Sequence, residues 1–230
     1  MTTPQGARAR ARIEVTAAIK DEARRQLAAE GAAQLSLRAV ARELGMVSSA
    51  LYRYFPSRDD LLTALIIDAY DSLGEAAEAA DAKAGDIAPA RRWVLVCEAV
   101  RGWALAHPHE YALIYGSPVP GYSAPETTVP AASRVGLLFI GIVRDACRRR
   151  GVARTPIPAE LAPEARRMAA DLAPDLPAEV VAALVAAWAQ LYGLVGFEVF
   201  GQFTKVVEDR EAFFRHAAAQ LAHGVGLVFP

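Results

Sequence analysis

Apolar residues recur along this chain at intervals of three and four, with no stretch of strand-like alternation. That spacing predicts helices throughout and no sheet. Val15, Ile19, Ala23 and Leu27 form the first stripe, on a helix from about Arg8 to Glu30 that Gly31 stops. Leu37, Val40, Ala41 and Leu44 give a short second helix, ended by Gly45. A third short helix offers a core little beyond Leu51 and Phe55. Next comes a helix from Ser57 to near Ala80, carrying Leu61, Leu62, Leu65, Ile66 and Ala69. Residues 81–88 read as a linker, and Pro89 suits the first turn of a helix through about Ala106. Pro108 opens a shorter helix, and residues 116–130 form a Pro/Gly-rich loop. A long helix through Arg150, a Pro-rich connection and two helices from about Ala178 and Asp209 complete the chain. The fold class expected is all-α. A three-helix domain spans residues 1–60, a connecting helix 57–80, and a larger helical domain 81–230.

Residues 36–60, SLRAVARELGMVSSALYRYFPSRDD, depart from ordinary amphipathic packing. Gly45 stands where the chain needs a residue that accepts positive φ. Ala41, four residues earlier, suits the close approach of two steeply crossed helices. The helix after the turn is too short and polar to be explained by burial. Its outer side carries Ser48, Ser49, Ala50, Tyr52 and Arg53, a set matched to phosphate oxygens and base edges. Pro56 ends it, and Ser57 to Asp60 form a capping box that starts the next helix. This is a helix-turn-helix, the unit that lays its second helix in the major groove of DNA.

The run GMVSSALYRYFPSRDDLL and the helix before it resemble the DNA-binding domain of the tetracycline-repressor (TetR) family of bacterial regulators, over roughly residues 10–65. The rest of the chain resembles that family only in being helical and apolar. The resemblance implies that Tyr52 and Tyr54 hydrogen-bond backbone phosphates, although Tyr54 also fits a core position. Ser48, Ser49 and Ala50 open the recognition helix and are the candidate readers of base edges. Ser36, Arg38 and Arg58 lie at neighbouring helix starts, where free N–H groups favour phosphate; Arg38 and Arg53 also have the reach for guanine. One position departs from the family. Val47 stands where Ser or Thr usually opens this helix, and a valine cannot cap, which shifts the expected cap to Ser48.

Net charge is −1, which does not by itself suggest a nucleic-acid partner. Its distribution does. Residues 1–58 hold ten Lys/Arg against five Asp/Glu, and the remainder fifteen against twenty-one. The positive end therefore coincides with the helix-turn-helix. Arg8, Arg10 and Arg12 alternate near the N-terminus, as a basic arm entering the minor groove or as a loose electrostatic tail. Cys97 and Cys147 fit no metal or redox spacing and read as free buried thiols in a reducing, cytoplasmic compartment. Val180 to Phe197 lacks charge over 18 residues, long enough for a membrane span. Its alanines, its central Gln190 and its flanking Glu179 and Glu198 favour a buried helix and no membrane partner. The run from Val135 to Val143 is too short to span.

Two further sites are expected in the larger domain. Trp93, Val96, Val100, Trp103, Tyr111, Tyr115, Leu138, Phe139, Ile142, Trp188 and Tyr192 would line a pocket for a small, mostly apolar effector. Ala182, Ala186, Ala189, Gly193 and Gly196 form a small-residue stripe on one helix. Phe214, Ala217, Leu221, Val225 and Val228 form an apolar stripe on the last. Together they predict a homodimer through a four-helix interface. No cofactor is expected. The rival readings are a helical metal-binding enzyme, using His107, His109, Glu110, His216 and His223, and a DNA-binding protein without an effector. No phosphate loop, nucleophile elbow or pair of catalytic acids supports an enzyme. The expected function is a DNA-binding transcriptional regulator, released as a repressor from a palindromic operator by its effector.

Overall fold

A computed structural model describes residues 4–149 and 152–228, and among these there is no strand. Ten α-helices follow one another: α1 Pro4–Glu30, α2 Leu37–Glu43, α3 Ser48–Leu51, α4 Arg58–Ala84, α5 Pro89–Ala106, α6 Pro108–Tyr115, α7 Val129–Arg149, α8 Ala162–Leu172, α9 Ala178–Val199 and α10 Arg210–Gly224. Arg150, the expected end of the long helix, lies outside the described residues. The fold class is all-α. Two helices exceed their predicted limits by about one turn. α1 begins at Pro4, and α4 runs to Ala84 through half of the segment read as a linker. Helix α8 falls inside the supposed Pro-rich connection. Its buried positions are only Ala165 and Ala169, which give a hydropathy stripe too faint to read.

The chain divides into two compact units. The first comprises Met1–Tyr70 and His107–Val129; the second comprises Asp71–Ala106 and Pro130–Pro230.

In the first unit, Ile19, Ala23 and Leu27 of α1 meet Val40 and Ala41 of α2, Leu51 of α3 and Leu61, Leu62 and Leu65 of α4 in one core. α6 and the loop after it join this unit. Leu113, Val119 and Tyr122 pack on the same core, and the Thr63 and Tyr122 hydroxyls lie 2.9 Å apart. Asp68 of α4 accepts from Lys20 at 2.8 Å and from Arg24 at 2.7 Å, and Arg24 also reaches Glu110 of α6 at 3.2 Å. Burial raises the hydroxyl pKa of Tyr70 and Tyr111.

In the second unit, α10 packs on α5 and α9, and α8 on α9. Val180, Leu184, Leu191 and Val195 put a stripe of α9 into this core. Arginines cross-link the helices. Arg92 of α5 binds both Asp81 oxygens at 2.7 and 2.9 Å and Asp145 of α7 at 2.8 Å. Arg134 of α7 clasps Glu78 and Asp71 on α4, and its side chain crosses so close to Gly74 that a Cβ there would stand 2.7 Å from Arg134 Nε. The same hydrogen bonds hold the Glu78 carboxyl below its usual pKa. Arg101 makes a two-pronged contact with Glu198, each prong 2.6 Å long. Cys97 and Cys147 are free thiols; Cys97 is buried, and burial pushes both thiol pKa values up. By length and composition α9 could cross a membrane, and so could Glu126–Arg149, which is longer than its apolar run Val135 to Val143 suggests. In each, 39% of the apolar window is buried within the fold.

Candidate nucleic-acid interface

Three local devices set the pose of α3. Ser36 caps α2, its Oγ accepting from the Ala39 N–H at 3.4 Å. α2 ends in a Schellman motif: the Met46 N–H reaches the Ala41 carbonyl at 2.8 Å and the Gly45 N–H the Arg42 carbonyl at 3.1 Å. Gly45 has φ +64°, a left-handed conformation that a side chain would strain. After α3, Ser57 caps α4, accepting from the Asp60 N–H at 3.1 Å while its hydroxyl donates to the Asp60 carboxylate at 2.6 Å.

Between these anchors α3 is one turn long, Ser48–Leu51, followed by turn residues to Phe55. Leu51 is fully buried and Phe55 nearly so, which turns Ser48, Ser49, Tyr52 and Arg53 to the surface. Ala50 is half-buried. Val47, not Ser48, is the N-cap residue, with extended backbone and no side-chain cap bond. Ser48 is therefore the first helical residue and its hydroxyl does not cap, which corrects the expected shift. Val47 is 70% exposed beside the two serines. An apolar side chain exposed at that point has the chemistry to meet a thymine methyl.

The remaining DNA candidates fall in two classes. Ser36, Arg38 and Tyr52 border an open depression of about 450 Å³ with Ser57 and Arg58, so the starts of α2 and α4 face one concavity. Arg38 and Tyr52 are exposed there. Arg58 is used differently. Its Nε donates to the Leu35 carbonyl at 3.1 Å and its Nη2 to the carbonyls of Ala32 and Ala33 at 2.9 and 3.1 Å. These bonds tie the α1–α2 connection to α4, so most of the guanidinium is committed to the fold and not to phosphate. Tyr54 is half-buried against the core, with the Arg12 guanidinium 5.2 Å from its ring centroid. Arg8, Arg10 and Arg12 are helical, because α1 starts at Pro4. A helix about 10 Å across does not enter a minor groove about 6 Å wide, which removes the minor-groove arm and the loose tail alike.

The expected effector residues separate. Trp93, Val96, Val100, Phe139 and Ile142 are fully buried together in the second unit, with the Trp93 and Phe139 ring centroids 4.3 Å apart. Trp103 is buried there, its Nε1 donating to Ser72 Oγ at 2.9 Å. Tyr192 is also buried, and Leu138 half-buried. Trp188 is 41% exposed and meets Tyr192 edge-on. Tyr111 and Tyr115 lie in the first unit, ring to ring at 5.3 Å. The expected dimer residues divide too. On α9, Ala186, Ala189 and Gly193 are exposed and Ala182 and Gly196 half-buried. On α10, Phe214 and Leu221 are buried within the subunit and Ala217 is half-buried; Val225, buried, and Val228, exposed, lie past the helix end at Gly224. That stripe covers its own α5 and α9, so the outward face of α10 carries Phe213, His216 and Gln220 instead. Among the described residues no three His, Cys, Asp or Glu side chains gather into a possible metal site.

Comparison with known proteins agrees with the geometry. Residues 19–65 match the family described as "Bacterial regulatory proteins, tetR family", and residues 93–221 match "Tetracyclin repressor-like, C-terminal domain". HTH-type transcriptional regulators of Mycobacterium tuberculosis and Mycobacterium bovis are each 40% identical over 205 residues, covering 86% of both chains. The crystal structure of the regulatory protein SCO4313 superposes with a TM-score of 0.77 at 36% identity, covering 94% of this chain and 98% of that one. A protein from Rhodococcus sp. RHA1 shares the fold at 22% identity, with a TM-score of 0.70 and coverage of 92% and 95%. An exposed polar turn of helix held between two capped helices, and these matches over both parts of the chain, place it in the tetracycline-repressor family of DNA-binding transcriptional regulators.

Proposed function

We propose that this regulator is a cytoplasmic homodimeric repressor that leaves a palindromic operator when a small molecule binds. Residues 1–60 would read DNA, and residues 81–230 would dimerise and take the effector. The observation that carries the reading is the exposed side of α3, where Ser48, Ser49, Tyr52 and Arg53 stand clear of the core that Leu51 enters. A residue near the start of a recognition helix reads base edges, and the family resemblance implies that Tyr52, further along, holds backbone phosphate. Tyr52→Phe is therefore expected to weaken binding to all duplexes alike. Ser49→Ala is expected to change preference at one base pair by about 1 kcal/mol. Both are read by selecting sites from a random duplex pool and titrating the recovered sequences at several salt concentrations. Wild-type protein with no salt-sensitive affinity for any recovered duplex would end the reading.

For the dimer, the support is the open face of α9. A Cβ built on Gly193 meets no atom within 4 Å, although glycine inside a helix costs about 0.5–1 kcal/mol relative to alanine. Exposed Phe197, Phe200 and Phe213 extend this face onto the start of α10. A second copy laid on it would bury both apolar surfaces. A Cβ at Gly193 enters open space, so the expected effect of Gly193→Leu is on association: monomers by sedimentation, binding a half-site weakly. A dimer of unchanged operator affinity would place the interface elsewhere.

For the effector, the support is Trp93, whose indole Nε1 is buried with no acceptor among the described residues. An unmet buried donor costs about 1–3 kcal/mol, so a mostly apolar ligand bringing one acceptor has an advantage there. Such a ligand must favour the state that does not bind DNA, and DNA must weaken the ligand equally. Screening small apolar molecules with one acceptor for release from the selected duplex tests this.

A further inference from the structure

We infer that the first turns of α1 form a one-sided basic helix that grips the DNA backbone beside the groove entered by α3. This rests on the DNA-binding reading and adds to it a surface outside the helix-turn-helix. At 100° per residue, Arg8 and Arg12 lie on the face of α1 that carries Val15, Ile19, Ala23 and Leu27 further along. That face enters the core from Ile19 onward and outruns it toward the N-terminus. Arg12 sits where the core ends. Its guanidinium lies over the Tyr54 ring, and its Nη2 reaches the Arg53 carbonyl at 3.5 Å, immediately after the recognition helix. Arg8 stands one turn beyond, about 6 Å further along the axis. It is exposed, and among the described residues no ion pair or hydrogen bond holds it.

The two neighbouring charges point elsewhere. Arg10 and Glu14 lie on the opposite side of the helix, and Arg10 folds back with its Nε 3.5 Å from the Gly6 carbonyl. Two guanidiniums thus share the face that meets the end of α3, while the alternate arginine does not. Among the described residues no hydrogen bond or ion pair accounts for an arginine at position 8. A polyanion passing the recognition helix would meet both side chains, and a guanidinium fork suits phosphate oxygens. The contact carries no base information, so it should contribute equally to every sequence.

The test compares Arg8→Ala, Arg12→Ala and Arg10→Ala in the full-length protein, on a selected duplex and on a scrambled one, across a salt series. Each phosphate contact contributes about 0.9 to the slope of log affinity against log salt. Arg8→Ala and Arg12→Ala are each expected to flatten the slope by about 0.9 per bound subunit. They should leave the ratio of selected to scrambled affinity unchanged, while Arg10→Ala keeps the wild-type slope. Arg12→Ala also removes the Tyr54 contact, so Arg8→Ala, which breaks no ion pair or hydrogen bond among the described residues, is the deciding variant. Arg8→Lys should restore most of the slope. An unchanged slope for Arg8→Ala overturns the inference, and so does equal flattening by Arg10→Ala, which would mean a cloud of charge without a face. Wild-type protein lacking any salt-dependent binding would overturn the DNA reading itself, a result distinct from either.

Discussion

Leu51→Ala should abolish sequence-specific DNA binding while leaving the tryptophan-bearing unit folded. Leu51 is fully buried and is the main anchor of a helix only one turn long. Truncating a buried leucine to alanine costs about 2–5 kcal/mol, a large share of the about 5–15 kcal/mol that keeps a domain folded. The turn Gly45 to Val47 and the cap at Ser57 would persist locally, but nothing would hold Ser48, Ser49 and Tyr52 on one surface. All three tryptophans, Trp93, Trp103 and Trp188, lie in the second unit. Denaturation followed by tryptophan fluorescence should therefore keep its midpoint, while circular dichroism gains an earlier transition and DNA binding is lost. Affinity within a few-fold of wild type would show that α3 is held by something other than Leu51. A tryptophan midpoint that moved with the mutation would show that the two units melt as one.

Arg101→Met should do the converse. Glu198 belongs to the buried stripe of α9, with its side chain only 4% exposed. Arg101 meets both its oxygens at 2.6 Å and lies over the Phe214 ring at 5.4 Å, so one guanidinium fastens α5 to α9 and α10. Methionine keeps the apolar stem and removes the charge, leaving a carboxylate uncompensated in the core. Breaking one side of such a pair costs about 3–5 kcal/mol, whereas replacing both partners with apolar residues of similar size is often neutral. The tryptophan-detected midpoint should fall markedly in Arg101→Met and recover in Arg101→Met/Glu198→Leu, at fixed protein concentration so that association does not shift it. A double variant no better than the single one would locate the loss in the stacking on Phe214.

The helix-turn-helix was legible because its signals are local. A left-handed turn at Gly45 and a capping box at Ser57 each act within a few residues. Such devices are written in adjacent letters. α8 escaped notice because an alanine stripe flanked by prolines carries little hydropathy signal, although alanine favours helix. Arg58 looked like a phosphate contact because position at a helix start says nothing of carbonyls 23 to 26 residues away.

Periodicity alone determined the all-α class, and local turn chemistry determined the reading helix, while the family followed from the resemblance of residues 10–65. Other assignments needed the assembled chain. The stripe on α10 is as apolar as an interface, yet Phe214 and Leu221 face their own subunit. Glu198 reads as a charged bracket ending an apolar run, yet it is buried because Arg101, 97 residues away, arrives to pair with it. Tyr111 and Tyr115 follow α5 in sequence but pack with the DNA-reading unit. In each case the pattern states how strongly a side chain avoids or seeks water. What it meets when it leaves water depends on segments distant in sequence, and only the tertiary structure brings those together.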